Sequence, residues 1–411
     1  MRLLFLSAIS NLGGAERVLL TAVTGLRRAD PSLAIRVVAP TDGPLLDAVR
    51  ATGVDAEIVP MPAALRTLGD SQRGSAGRTF GTAELFGRAL RTVPKMAAYV
   101  ARLRAAIRRF DPHLVHSNGI KTHLLTRVAV SRHVPVVWHL HDFYGLRAVA
   151  AGLLRWGCGQ VRMGIAVSRA VAADAARVLP GVRVEVVANA VDVTRFSPGM
   201  GSDLDRLAGL PPAPAGTVRV GLVATYARWK GQLTFLEAAR LVSKSDPDLR
   251  VRWYVVGGPI YHTGAQFSQA ELHAGASERG IIDRVGFVPF QPDPAGAYRG
   301  LDVVVHASTL PEPFGLTVAE AMACARAVVV SAAGGASELF ADGVNAVGVT
   351  PADPTELAAV VKRLALDPQW RARLGIAARD TAVSRFNDAD YGHRLSHLFV
   401  QVVRGASDQP T

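Results

Sequence analysis

Only two cysteines occur in 411 residues, Cys158 and Cys324. They stand far apart with no metal-ligand spacing around either, which excludes a disulfide framework and a zinc site and makes a reducing cytoplasm the expected location. No run of about 18 uncharged apolar residues occurs, so no membrane span is expected. The apolar run 3–6 after Arg2 is too short for a signal peptide, and Asn11-Leu12-Gly13-Gly14-Ala15-Glu16 follows where a cleavage site would stand. It reads as a first buried parallel strand. Neither a Gly-x-Gly-x-x-Gly fingerprint nor a P-loop lysine motif is present, which argues against a dinucleotide oxidoreductase and a P-loop kinase. Asp-x-Asp pairs occur at Asp203/Asp205, Asp246/Asp248 and Asp388/Asp390, but none closes an expected strand.

What is present is apolar and basic. Hydrophobic residues make up 49% and charged residues 19%, a globular composition whose length suits two domains. The net charge is +12, and it is unevenly placed. Residues 1–195 hold 26 Lys and Arg against 13 Asp and Glu, whereas residues 196–411 hold 20 against 21. Ten basic residues fall between Arg66 and Arg109, facing only Asp70 and Glu84. Such a cluster seeks an anionic partner: an acidic membrane surface, a phosphate-bearing acceptor, or nucleic acid. Nucleic acid is disfavoured, because Phe80, Phe86, Tyr99 and Phe110 are few and at core-like helical spacing. A solvated helix face is the plain alternative.

Short Val, Ile and Leu runs alternate with longer helical patterns, the signature of βαβ units and doubly wound parallel sheets. Strands are expected over residues 2–7, 35–39, 56–60, 114–117, 134–139, 163–167 and 184–188, then 218–224, 251–256, 285–288, 303–306 and 327–331, with a helix over 232–242. A Pro- and Gly-rich stretch breaks the pattern at 197–216. The expected organisation is therefore a Rossmann-like domain over 1–196, a linker over 197–216, a second such domain over 217–386, and a terminal segment over 387–411. Residues 73–82 are Gly- and Ser-rich and expected to be mobile. Pro94 should divide the amphipathic stretch 84–110 into two helical pieces.

The densest chemical signal is Glu312-Pro313-Phe314-Gly315-Leu316-Thr317-Val318-Ala319-Glu320. One acid lies on a proline-flanked loop and the other about a turn and a half into a helix that Gly315 lets the chain enter closely. The open amides at the start of that helix, with its partial positive charge, favour a phosphate. Two hydroxyl acceptors beside a phosphate-binding helix end suit an activated sugar. Continued through Ala321-Met322-Ala323 and Gly334-Gly335-Ala336-Ser337-Glu338, the block resembles the retaining glycosyltransferases of family 4. The resemblance covers nearly the whole chain.

That resemblance implies a GT-B architecture, α/β with two Rossmann-like doubly wound parallel-sheet domains facing across a cleft and a C-terminal helix crossing back to the N-terminal domain. It implies a retaining hexosyl transfer from a nucleotide-diphosphate sugar to a glycan, lipid-linked or small-molecule acceptor, with no metal and no cofactor. Glu312 would hold the donor sugar and Glu320 the ribose, with Phe314, Gly315 and Leu316 at the helix start. Arg228 and Lys230, just after the first strand of the second half, would stabilise the departing diphosphate. The family usually places an arginine where Thr225 stands, so Arg228 is the substitute on offer; a solvated basic turn is the alternative. Gly257 would turn near the nucleotide, or simply end its strand, and Val288 would lie near the base. Gly13 and Gly14 would bring backbone amides to a phosphate or the transferred sugar, although close strand-helix packing explains them too. Glu16 would favour the helix start.

His139 and His141 alternate onto one strand face; a satisfied core histidine is the ordinary reading of His139, and no third metal ligand is evident. By resemblance His141 would contact the sugar or acceptor, with Asp142, His139 and Asn118 on the acceptor side. Ala190 and Ala325 replace family glycines, at a cost of about 1 kcal/mol or more if either position needs positive φ. A sugar-nucleotide epimerase or hydrolase would share the donor residues, and a basic nucleic-acid module is the remaining alternative class.

Overall fold

Leu3, Leu4, Phe5 and Leu6 are apolar without alternation, as suits a strand covered on both faces, and they form the buried centre of β1 (Arg2–Ser7). The computed structural model describes residues 1–63, 82–259 and 264–407, side chains of 82–93 and 407 excepted. The chain divides into two units, Met1–Asn189 with Asp388–Thr411, and Ala190–Asn387.

In the first unit β1 is joined by β2 (Ala34–Ala39), β3 (Asp55–Ile58), β4 (Leu114–Asn118), β5 (Val136–Leu140), β6 (Val161–Ala166) and β7 (Val184–Val186). They form one parallel sheet in the order β3-β2-β1-β4-β5-β6-β7. The winding reverses between β1 and β4, so the loops leaving those two strands open a crevice at their carboxyl ends. The helix Asp388–Ser407 closes this unit, as expected, crossing the helix Gly14–Ala29 where Gly25 meets Gly392, with Tyr391, Leu395 and Phe399 buried. Phe399 lies 6.3 Å from the Phe5 ring and 5.9 Å from that of His116.

The second unit repeats the plan with β8 (Val218–Val223), β9 (Val251–Val256), β10 (Val285–Val288), β11 (Val303–His306), β12 (Ala327–Ser331) and β13 (Val347–Val349). Its parallel order is β10-β9-β8-β11-β12-β13, reversing between β8 and β11. The strands expected from sequence are all present. The unanticipated one is β13, a three-residue edge strand too short to show a period.

Two local expectations change. Residues 197–216 belong to the second unit, held there by Asp205, which accepts from Arg252 at 2.7 Å and from the Tyr254 hydroxyl at 2.6 Å. Prolines mark a break in secondary structure, but buried polar bonds decide whether a segment is anchored. Pro94 lies inside one continuous helix, Thr82–Phe110. It is exposed, on the solvent side, where water can take up the carbonyl that its ring leaves without a donor. Arg66, Arg73 and Arg78 of the basic cluster, and most of the Gly- and Ser-rich stretch, lie outside the described residues. Among the described arginines, Arg102 donates to the Pro60 carbonyl, Arg104 to that of Val128, and Arg109 to Glu57 at 2.6 Å.

Candidate functional site

In the second unit Lys230 leaves β8 and Glu312 leaves β11, the two strands that flank the reversal. The loops carrying them are stitched together. Thr309 donates through its amide to the Trp229 carbonyl at 2.8 Å and through its hydroxyl at 3.2 Å. Gly231, at φ +78°, passes so close that a Cβ there would lie 1.8 Å from the Ala307 carbonyl oxygen. Only glycine permits that crossing, which brings the lysine next to the acid. The Lys230 ammonium donates to both Glu312 oxygens, at 2.9 and 2.8 Å, above the Trp229 ring.

Two further side chains converge on the same carboxylate. The Ser308 hydroxyl donates to Glu312 Oε2 at 2.9 Å, and His306 Nε2 stands 3.3 Å from that oxygen. Burial alone would push the Glu312 carboxyl up, but the Lys230 charge and the bonds from His306 and Lys230 hold it well below the usual carboxylate range. Oε2 is crowded, whereas Oε1 receives the single bond from Lys230 and keeps capacity for one more O–H donor. The backbone of Glu312 is held by the following turn: Gly335 donates to its carbonyl at 2.7 Å, and a Cβ on Gly334 would lie 2.5 Å from that oxygen. Sequence reasoning missed His306 and Ser308. The available signal was position, since His306 ends a strand beside the reversal.

Gly315 opens the helix Leu316–Ala323 at φ +99°. Phe314 is buried edge-on to Phe386 at 5.9 Å, so it anchors the loop, while Leu316 is half-buried. Glu320 is buried and accepts the Tyr298 hydroxyl at 2.7 Å. Beyond the helix, Arg326 donates to the Ala321 carbonyl and Ala325 to that of Met322, a Schellman ending with Ala325 left-handed at φ +56°. Ala190 has no positive φ. Of the two departures from glycine, only Ala325 is strained, and Ala325→Gly should raise stability by about 0.5–1 kcal/mol, read as a higher urea midpoint at unchanged slope.

Other expected residues stand apart from this cluster. Arg228 lies over the Phe267 ring at 4.2 Å, donates to the Gly264 carbonyl at 3.0 Å and pairs with Glu271 at 2.6 Å. It braces the start of the helix Gln269–Glu278. The Val288 side chain is fully buried and its carbonyl accepts the Gly257 amide at 3.0 Å, so both shape the strand ends from beneath.

In the first unit Asn118 ends β4 and its amide donates to the Ala15 carbonyl at 3.1 Å, joining it to the first turn of the helix after β1. His141 Nε2 lies 2.7 Å from Asn118 Oδ1, so it carries the proton and Nδ1 is the acceptor. Burial pushes the His141 pKa down to about 3, keeping the ring neutral at pH 7. The structure thus gathers Gly13, Gly14, Asn118 and His141 at the reversal. Gly14 has open space on its Cβ side, so strand-helix packing does not account for it. Glu16 folds back toward Gly13; desolvation lifts its carboxyl to about 7 despite bonds from its own amide and that of Gly13.

His139 backs this group without lining it. It is fully buried, with Nδ1 3.2 Å from His116 Nε2, and its Nε2 and His116 Nδ1 have no partner, so it is a core histidine only half satisfied. Asp142 accepts from the Phe143 amide at 3.1 Å and pairs with Arg147 at 2.9 Å. Among the described residues no group of three or more His, Cys, Asp or Glu is placed to hold a metal ion.

Two Rossmann-like units with a returning C-terminal helix, each carrying polar residues at its reversal, define a GT-B protein. The family model described as Glycosyltransferase Family 4 matches residues 12–195, and that described as Glycosyl transferases group 1 matches residues 212–381. The chain belongs to glycosyltransferase family 4. Among curated proteins it is 32% identical over 223 residues to D-inositol 3-phosphate glycosyltransferase of Corynebacterium kroppenstedtii, covering 54% of this chain and 49% of that one. To the protein of the same name from Thermomonospora curvata it is 37% identical over 207 residues, 48% of this chain and 46% of the other. The chain spans about half the length of the curated relatives it matches. Among solved structures, HepE of Anabaena in complex with UDP-glucose has a TM-score of 0.78 at 24% identity, over 98% of this chain and 100% of that one. Sucrose-phosphate synthase of Thermosynechococcus elongatus has 0.74 at 19%, over 98% and 100%. At these identities the structural likeness speaks for the fold.

Proposed function

We propose that the protein is a retaining glycosyltransferase that moves a hexose from a nucleotide-diphosphate sugar to a glycan, lipid-linked or small-molecule acceptor without a metal ion. The observation that carries this reading is the Lys230–Glu312–Ser308–His306 cluster at the reversal of the second sheet. The second unit takes the donor. Glu312 Oε1 accepts a sugar hydroxyl, Glu320 the ribose, and Lys230 with the helix start at Gly315 stabilises the diphosphate as it leaves. Arg228 would assist after leaving Glu271. The first unit takes the acceptor, with Gly13 offering its amide and the neutral His141 offering Nδ1 to a hydroxyl, and Gly14 is assigned to the donor.

In the transfer, the bond from the anomeric carbon to the phosphate oxygen breaks and the bond from that carbon to the acceptor oxygen forms on the same face. The acceptor proton passes to the leaving phosphate oxygen. The UDP-glucose complex of HepE and the names of the inositol-phosphate relatives support a nucleotide sugar as donor and a polyol or its phosphate among the acceptors to try. Contact of the basic stretch 66–109 with an anionic surface belongs to the same reading, and exposed Lys95 and Arg108 are its described candidates.

Thermal-shift screening with UDP-, GDP- and ADP-sugars tests the donor; a ligand at about 100 times its dissociation constant should stabilise by roughly 2.7 kcal/mol. Glu320→Gln should remove that shift while leaving the fold intact, checked by circular dichroism. Product analysis by NMR then reads the anomeric configuration, with EDTA leaving the rate unchanged. Free sugar or an isomerised donor formed regardless of acceptor would replace transfer by hydrolysis or epimerisation.

A further inference from the structure

The helix Ala148–Gly157 turns an apolar face to solvent. Its inner side is ordinary: Ala151, Leu154 and Gly157 are buried. Its outer side carries Val149, Leu153 and Trp156, exposed by 74%, 48% and 57%, and continues the line of Leu146, exposed by 72%. Spacings of four and three put Val149, Leu153 and Trp156 along one stripe of the helix, and Leu146 is exposed in the short turn that precedes it. Single exposed apolar side chains are common on protein surfaces, but three along one helical stripe with a fourth in the adjoining turn are not.

The charges around the stripe indicate what covers it. No acidic residue occurs from Phe143 to Arg162. Arg127 lies 5.8 Å from the Trp156 ring, Arg162 is exposed just beyond the helix, and Arg155, exposed on the helix, donates through Nε to the Val178 carbonyl at 2.9 Å. Asp142, the acid that precedes the stripe, is paired with Arg147. A face of Leu, Val and Trp rimmed by arginines, in the half of the chain that holds the whole basic excess, matches a surface that is apolar inside and anionic at its edge. The helix is far too short to span a bilayer, and among the described residues no helix is long and apolar enough to do so. It can lie in the interface.

We propose that Leu146, Val149, Leu153 and Trp156 insert into the headgroup region of an anionic membrane, with Arg127, Arg155 and Arg162 on its phosphates. The stripe starts five residues after His141, at the carboxyl end of the first sheet, so docking sets the acceptor residues beside the lipid surface. The contact is independent of the transferase reading, because it is read without donor or acceptor.

The test is flotation of the full chain with phosphatidylglycerol/phosphatidylcholine vesicles and with phosphatidylcholine vesicles alone. Binding is expected to the anionic vesicles and to fall with added salt. Leu153→Ser/Trp156→Ser should weaken it more than about tenfold, from the lost apolar burial. Both side chains are exposed, so the thermal midpoint should stay unchanged. Brominated lipid should quench the wild-type tryptophan emission, and Trp156→Phe should remove the quenched fraction. The proposal is overturned if no anionic vesicle binds, if the double variant binds like wild type while replacement of Lys95 and Arg108 abolishes binding, or if the stripe variants change only self-association in light scattering.

Discussion

Replacing Lys230 with methionine should cost about 3–5 kcal/mol of stability and abolish donor binding together. The stability loss arises because the buried Glu312 carboxylate would lose its only cationic side-chain partner among the described residues and keep only Ser308 and His306. Breaking such a pair leaves a desolvated charge, whereas removing both charges does not. The double variant Lys230→Met/Glu312→Gln should therefore recover most of the stability while remaining unable to bind donor. Urea denaturation supplies the first reading and donor-induced thermal shift the second. A Lys230→Met protein as stable as wild type would show that the pair is solvated and that the depressed Glu312 carboxyl is not structural. The pH dependence has a fixed sign. Because Glu312 is held below its ordinary value of 4.5, its contribution is present above that pH and is lost as pH falls toward the folded value.

Glu16 should behave in the opposite sense. Its carboxyl is raised from 4.5 to about 7, so between those values the folded protein holds a proton that the unfolded chain releases. Stability should fall by about 3 kcal/mol as pH rises across that window, at 1.36 kcal/mol per unit. Glu16→Gln should abolish this slope, leaving the variant about as stable as wild type near pH 4.5 and more stable above pH 7. The comparison is a pair of urea titrations at both pH values, and equal slopes in the two proteins would count against a buried carboxyl beside Gly13. Glu16 lies in the first turn of the helix that Gly13 and Gly14 open, so the same titration changes the charge beside those glycines.

Glu312 and Lys230 separate what neighbouring residues display from what only the folded chain brings together. The Glu312–Glu320 block was legible because a proline-flanked loop, a helix-opening glycine and a second acid lie within nine consecutive residues. The strand order was not legible, and with it the meeting of Lys230 with Glu312, 82 positions apart. Lys230 was expected to face a phosphate, and in the folded chain it grips the acid expected to hold the sugar. Arg228, two residues earlier, is drawn off to Glu271 because the helix Gln269–Glu278 starts beneath it. Nothing local distinguishes the two cations.

Alternation of apolar runs and helical periods is written in neighbouring residues, and it gave the class of both units and their longer strands, while the returning helix was expected from the family resemblance. Burial is not written there. His139 and His141 share a strand face and a residue type, yet one is sealed in the core against His116 and the other reaches Asn118. Ala190 and Ala325 are the same substitution in sequence, and only Ala325 falls in a left-handed helix ending. Val149, Leu153 and Trp156 are as apolar as Ala151 and Leu154 of the same helix, yet only the latter pair is buried. Local pattern depends on residues a few positions apart, whereas charge pairing, backbone strain and exposure depend on which distant segments the two sheets bring together.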